Sequence, residues 1–321
     1  SESDIARELA RNVDTDAILV ARNTLRATLS AGMADTLSDI YQRNATQGPY
    51  SPDPESAGLR ALRNAALDLI AATGTDDAID LAFQHYRSAT NMTDSIMALS
   101  TLSHIPSDAC DEALHDFYMR WENDPLVLDK WFAVQASLAP PDAAPETATA
   151  LLAHGDFDWR TPNRVRSVIG AFAMGNLAGF HRADGAGYAL LADWLIRLDR
   201  ANPQTAARMS TAFETRARYD ADRQAMMTEE LVVTRGIAGV SLSPEAIGGH
   251  ISTRTSRGCW TAGPPTTASP SWRWSTSTAN PSTPSAPAAT CPCATASGSS
   301  STSAPPWTTP TAVGCFTRTS L

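Results

Sequence analysis

Apolar residues across the first 234 positions recur three, four and seven apart, in one short stretch after another with brief joints between them. That spacing predicts amphipathic helices. Ile5, Leu9 and Val13 form one stripe, and Leu19, Leu25 and Leu29 continue the theme. Leu59, Leu62, Ala66, Leu69 and Ile70 predict a strong amphipathic helix, and Ile79, Leu81, Ala82 and Tyr86 a shorter one. Ile96, Leu99 and Leu102 follow Asn91 and Thr93, which read as a cap. Leu114, Phe117, Tyr118 and Trp121 mark an aromatic-rich helix that Asp124-Pro125 ends. Val127 to Leu138, Ala144 to His154 and Tyr188 to Leu198 read the same way. Val and Ile are scattered rather than alternating, and no Asn-Gly or Asp-Gly hairpin separates alternating runs, so strands are not expected there.

Two helix starts carry more than periodicity. Thr161-Pro162-Asn163-Arg164-Val165 and Asn202-Pro203-Gln204-Thr205 each place Pro at the first helical position behind a Thr or Asn expected to cap it. In the first, Val165, Val168, Ile169 and Phe172 form the stripe that faces a core. Arg166 falls off that stripe, and Gly170, one turn later, is expected to leave its guanidinium room. In the second, Gln204 and Arg208 are four apart and share a face. Two Pro-started helices, each with an Arg near its positive end, suit a peptide carboxylate or another anion.

Helix after helix with short connections predicts an all-α fold, a superhelical array of antiparallel helix pairs of the HEAT or armadillo kind. No fixed period is visible, so any repeats are degenerate. The segment Gln47-Gly48-Pro49-Tyr50-Ser51-Pro52-Asp53-Pro54 is the clearest internal break and is expected to join two helix layers, not two domains.

Composition changes the picture after about position 240. Of the 70 residues from Ser252 to Leu321, 50 are Ser, Thr, Pro or Ala, and Leu, Val and Phe occur once each. Such a segment buries too little apolar surface to offset an ordering cost of about 1–2 kcal/mol per residue. Residues 1–240 are therefore read as the folded domain and 241–321 as a disordered tail. The tail has two readings: a low-complexity linker, or an out-of-frame translation of GC-rich coding DNA, since residues 252–321 lack Asp, Glu and Lys altogether.

Charge narrows the function classes. The only charged residues from 252 to 321 are Arg254, Arg257, Arg273 and Arg318; subtracting that +4 from the formal −9 leaves −13 on residues 1–251. An acidic body argues against a nucleic-acid partner. No run approaches the roughly 20 apolar residues a membrane-spanning helix needs, and no signal peptide opens the chain. Cys110 is the sole cysteine of the helical region, which points to a reducing cytoplasm. The chain begins at Ser1 inside helical pattern and is read as a fragment of a longer protein.

With Arg63-Asn64-Ala65-Ala66-Leu67, Asn91-Met92-Thr93-Asp94, Asp129-Lys130-Trp131-Phe132, Asp184-Gly185-Ala186-Gly187-Tyr188 and Arg218-Tyr219-Asp220 in this order, residues 1 to about 240 resemble the C-terminal helical domain of bacterial aminopeptidase N, of the gluzincin zinc peptidases. The resemblance implies a parent enzyme that removes N-terminal residues, small or basic ones by preference, using zinc. It implies that this piece closes the catalytic chamber, with the rest of the chain and peptide substrates as partners. By the same resemblance Arg166, Gln204 and Arg208 contact the C-terminal part of bound peptide. No cofactor is expected in this chain itself.

The zinc chemistry of that family needs His-Glu-x-x-His on one helix face plus a distant Glu, and the sequence has neither. His85, His104, His115, His154, His181 and His250 lack the spacing and are expected at the surface or at helix ends. Gly170-Ala171-Phe172-Ala173-Met174-Gly175-Asn176 lacks the carboxylate that would bind a substrate amine, so Phe172 and Met174 are read as core. Cys291-Pro292-Cys293 with Cys259 and Cys315 does not have zinc-ribbon spacing. The alternative function is a stand-alone HEAT-like scaffold that binds a partner protein in its groove.

Overall fold

The computed structural model describes residues 1–46, 48–238, 259–262 and 272–275. In order the helices are α1 (Glu2–Leu9), α2 (Thr15–Gly32), α3 (Ala34–Arg43), α4 (Pro54–Ala71), α5 (Asp76–Ser88), α6 (Met92–Leu102), α7 (Asp108–Trp121), α8 (Pro125–Leu138) and α9 (Ala144–Leu152). They continue with α10 (Pro162–Val165), α11 (Ala171–Gly175), α12 (Leu177–Phe180), α13 (Ala186–Asp199), α14 (Pro203–Ser210) and α15 (Ala221–Ala238). A π turn, Arg166–Gly170, runs between α10 and α11 so that helix continues from 162 to 175, and a 3-10 helix, Thr211–Arg218, follows α14.

Capping residues set many of these boundaries. Asp14, Asp53, Asn91, Ser107, Asp124 and Asn202 each accept a hydrogen bond from a backbone N–H of the first turn they precede. Antiparallel pairing then follows from the short joints. α3 packs on α4, α5 on α6, α7 on α8, and α9 on the 162–175 helix. The second members of these pairs pack on one another in succession, α4 on α6, α6 on α8, and α8 on α11. They form an inner layer whose helices run the same way. The array closes: α1 packs on the 3-10 helix and α2 on α12. Val13 N–H donates to the Arg218 carbonyl at 2.9 Å, and Arg223 lies 4.0 Å from Asp16.

One core runs through the helices. Phe117, Phe132, Phe172, Phe180, Tyr188, Phe213 and Tyr219 are all essentially buried in it. Chain approach is tightest where α12 meets α13. A Cβ on Gly187 would lie 2.4 Å from the Phe180 carbonyl oxygen, so only glycine fits.

Several expected core positions face outward. Ile5 and Leu9 of α1, Leu25 and Leu29 of α2, Leu62 of α4 and Trp121 of α7 are exposed, whereas Val13 and Ile18 are buried. α1 stops at Leu9, and Ala10 and Asn12 adopt left-handed backbone, so Val13 leaves the stripe of Ile5 and Leu9. Periodicity finds an apolar face without saying what covers it. In the 47–54 break, Gln47 lies outside the described residues and Asp53 caps α4.

By chain contacts a second unit begins at Arg254. Within it β1 (Cys259–Ala262) pairs antiparallel with β2 (Trp272–Ser275). The disorder expected over 241–321 otherwise falls outside the described residues, as do Cys291, Cys293, Cys315 and His250.

Candidate functional site

The helix from Pro162 to Gly175 holds two arginines of opposite character. Arg164 is buried. Its Nε donates to Asp129 Oδ1 at 2.6 Å, its Nη1 to the Asp156 carbonyl at 2.8 Å and its Nη2 to the Pro125 carbonyl at 3.3 Å. Its guanidinium also stacks 4.7 Å from the Phe132 ring centroid. It therefore ties this helix to the start of α8 and to the segment before α10. Arg166, two residues on, is exposed and donates to Asn163 Oδ1.

Two local expectations are corrected here. Thr161 has the extended backbone of a cap, but its side chain makes no capping bond. Gly170 does not make room for Arg166. Helical side chains lean toward the N-terminus, and the Arg166 guanidinium accordingly turns back to Asn163. A Cβ on Gly170 would sit 3.5 Å from Met209 Sδ and 3.7 Å from Arg166 Cβ, ordinary contact distances, so Met209 of α14 lies beside this glycine without requiring it.

α14 begins as predicted: Asn202 Oδ1 accepts from the Thr205 N–H at 3.0 Å, and Pro203 opens the helix. Thr205, Ala206 and Met209 face the core, while Gln204 and Arg208 are exposed one turn apart. Met209 lies beside Gly170 where α14 packs on the π turn; Arg166 precedes that glycine by one turn, and Arg208 adjoins Met209 in sequence. Among the described residues neither of these arginines has an ion-pair partner. Arg182 and Arg223 differ: Arg182 pairs with Glu146 and Asp184, and Arg223 with Asp220. Two unneutralised guanidinium groups can hold an anion, best in a two-pronged hydrogen bond to a carboxylate.

Other expected roles shift. Phe172 is core, but Met174 is 44% exposed, because it lies off the 165–168–169–172 stripe. His85, in the last turn of α5, and His181, directly after α12, lie at helix ends as expected, yet both are buried. His85 Nδ1 lies 2.9 Å from the Tyr41 hydroxyl, and His181 Nδ1 lies 2.9 Å from that of Tyr188. Burial, aided by nearby Arg63, pushes the His85 ring down to about 4; burial and Arg223 push His181 down to about 3. Burial raises the Cys110 thiol above its ordinary value, so it is an inert core thiol. Among the described residues no three His, Cys, Asp or Glu side chains converge to hold a metal, and these residues do not fit a zinc ion.

Sequence reasoning passed over Arg164 as an anchor. The signal was present: Arg164 lies four residues before Val168 and so borders the buried stripe.

Helix pairs stacked in chain order around an inner layer define an α-solenoid of the armadillo class. The chain belongs to the family described as a domain of unknown function (DUF3458_C) with ARM repeats, whose model matches residues 1–243. It is 37% identical over 224 residues to aminopeptidase N of Haemophilus influenzae, covering 70% of this chain and 25% of that protein. It is 38% identical over 234 residues to aminopeptidase N of Escherichia coli, covering 73% of this chain and 27% of that protein. A solved structure of Legionella pneumophila aminopeptidase A in complex with aspartic acid superposes with a TM-score of 0.69 at 29% identity, covering 77% of this chain and 29% of that one. The chain thus spans about a quarter of the length of the curated relatives it matches and resembles the C-terminal helical domain of aminopeptidase N. Among the described residues no helix is long and apolar enough to cross a membrane.

Proposed function

We propose that this chain is the non-catalytic C-terminal domain of a cytoplasmic zinc aminopeptidase, where it closes the chamber in which peptides lose their N-terminal residue. Arg166, Gln204 and Arg208 contact the C-terminal side of the peptide, the arginines through its carboxylate. The observation that carries this reading is that Arg166 and Arg208 are both exposed and neither is ion-paired among the described residues, within a fold matched to aminopeptidase N over 70% of the chain. A charge-assisted bond of this kind contributes about 1.5–3 kcal/mol, or roughly 10- to 150-fold in affinity.

The test uses the longer enzyme encoded by the intact locus. Arg166→Ala and Arg208→Ala raise KM for a short peptide with a free C-terminus at least tenfold, and leave KM for the same peptide amide unchanged. Equal effects on both peptides sink the assignment. The isolated 321-residue chain with added zinc turns over no alanyl chromogenic substrate; chelator-sensitive turnover by a pure preparation refutes the non-catalytic reading.

A scaffold that binds a partner protein is the second reading. It draws support from the uncovered apolar faces of α1 and α2, where Leu9, Val20 and Leu25 are each more than half exposed. The upstream DNA separates the two. An in-frame His-Glu-x-x-His codon run supports the enzyme domain, and a start codon directly before Ser1 supports the scaffold.

A further inference from the structure

α5 and α7 meet water as helices of an acidic protein should. Asp76, Asp80 and Arg87 on the first, and Asp111, Glu112 and Arg120 on the second, are exposed. α2 and α4 differ. From Ala17 to Met33 the only charged side chains are Arg22 and Arg26. Both are partly buried in ion pairs, with Glu2 at 2.9 Å and with Asp68 at 2.8 Å. Every exposed residue in that stretch is uncharged, and Leu25, Leu29 and Met33 are 60%, 41% and 44% exposed. α4, which packs on α2, repeats the pattern: after Glu55 its exposed positions are Ala57, Gly58, Ala61, Leu62 and Ala65.

We infer that the exposed faces of α2 and α4 seat a helix from the part of the longer protein outside this chain, an inference that rests on reading the chain as one domain of an aminopeptidase. The relief of α2 suits a helix. Leu25, Leu29 and Met33, four apart, make a ridge, and Thr24, Thr28 and Gly32, also four apart, make the groove beside it. The Thr28 hydroxyl already donates to the Thr24 carbonyl at 2.8 Å, so it carries no unpaired donor into a dry interface. The occupant has room in the sequence. The chain covers 25% and 27% of its two aminopeptidase N relatives, so about three quarters of each lies outside the match. A second copy of this chain is a poorer occupant, because residues 1–251 carry −13 and two such bodies repel.

The test is hydroxyl-radical footprinting, read by peptide mass spectrometry, of the 321-residue chain and of the longer enzyme encoded by the intact locus. Leu25, Leu29 and Met33 react at least fivefold more slowly in the longer enzyme. Met209 and Met227, both buried, stay equally protected in the two proteins and so report that the chain is folded. The double variant Leu25→Lys with Leu29→Lys, which keeps helix propensity nearly constant, raises Met33 reactivity in the longer enzyme at least threefold. This second readout needs no comparison with the isolated chain. Equal reactivity of the three residues in both proteins overturns the inference. So does a face already protected in the 321-residue chain, by a second copy or otherwise, or a Met33 that stays protected in the lysine variant. The domain reading fails separately, through a start codon directly before Ser1.

Discussion

Arg164 is the side chain whose removal most directly probes how the 162–175 helix is held. Arg164→Ala leaves Asp129 facing a protein wall with its partner gone, and frees the Asp156 and Pro125 carbonyls. Breaking a buried pair costs about 3–5 kcal/mol. Asp129 keeps 17% of its side-chain surface in water and can recover some hydration, which places the pair at the lower end of that range. The lost stacking on Phe132 adds about 1 kcal/mol, while water reaching the freed carbonyls returns some of the loss. The expected destabilisation is about 3 kcal/mol, equivalent to roughly 6–12 °C in Tm for a body of this size. Urea unfolding followed by circular dichroism at 222 nm measures it, and the double variant Arg164→Met with Asp129→Leu isolates the charge component. That pair of apolar replacements recovers at least half the loss, because the stranded carboxylate is what makes the single change costly. A loss below 1 kcal/mol for Arg164→Ala, or a double variant as unstable as the sum of the two singles, refutes the reasoning.

Three more outcomes follow from the same contacts. Gly187→Ala destabilises by about 2–4 kcal/mol by thermal melt, because its methyl meets the Phe180 backbone, which cannot swing aside. Gly58→Ala, in the exposed interior of α4 with nothing within 4 Å, stabilises by about 0.5–1 kcal/mol instead. His85 and His181 have folded values of about 4 and about 3, below the 6.5 of the unfolded chain, so the unfolded state binds more protons between those limits. Their contribution is complete above about pH 7 and declines as pH falls from 6.5 toward 4 and 3. The urea midpoint drops over that window, with a shallower slope in His181→Asn.

Much of this architecture can be read from residues, and the failures share a cause. α4, α6 and α8 are legible because a 3.6-residue stripe and a cap or Pro at the start are local properties. The set of Arg166, Gln204 and Arg208 is half legible. Each helix start is written locally, but their meeting through Gly170 and Met209 is a long-range contact. His85 and His181 look alike to His115 in sequence, and only distant partners such as Tyr41 decide which rings are dry. The π turn at Arg166–Gly170 leaves no signature beyond an ordinary helical stripe. A cavity of about 810 Å³ lined by Arg22, Thr101, Ala139 and Gly175 escapes for a related reason: its wall is assembled from helices spread over more than a hundred positions.

An open stack of repeats frays from its tips, each unit leaning only on its neighbour. Here the tips are buckled together, through Val13 to Arg218 and Asp16 to Arg223, so the hoop has no free edge from which to peel. Melting is then expected to be concerted rather than stepwise. Cutting the α2–α3 junction would relax the hoop less than removing the stretch from the 3-10 helix through α15, because only the second lesion takes away both Arg218 and Arg223 and so unfastens the clasp.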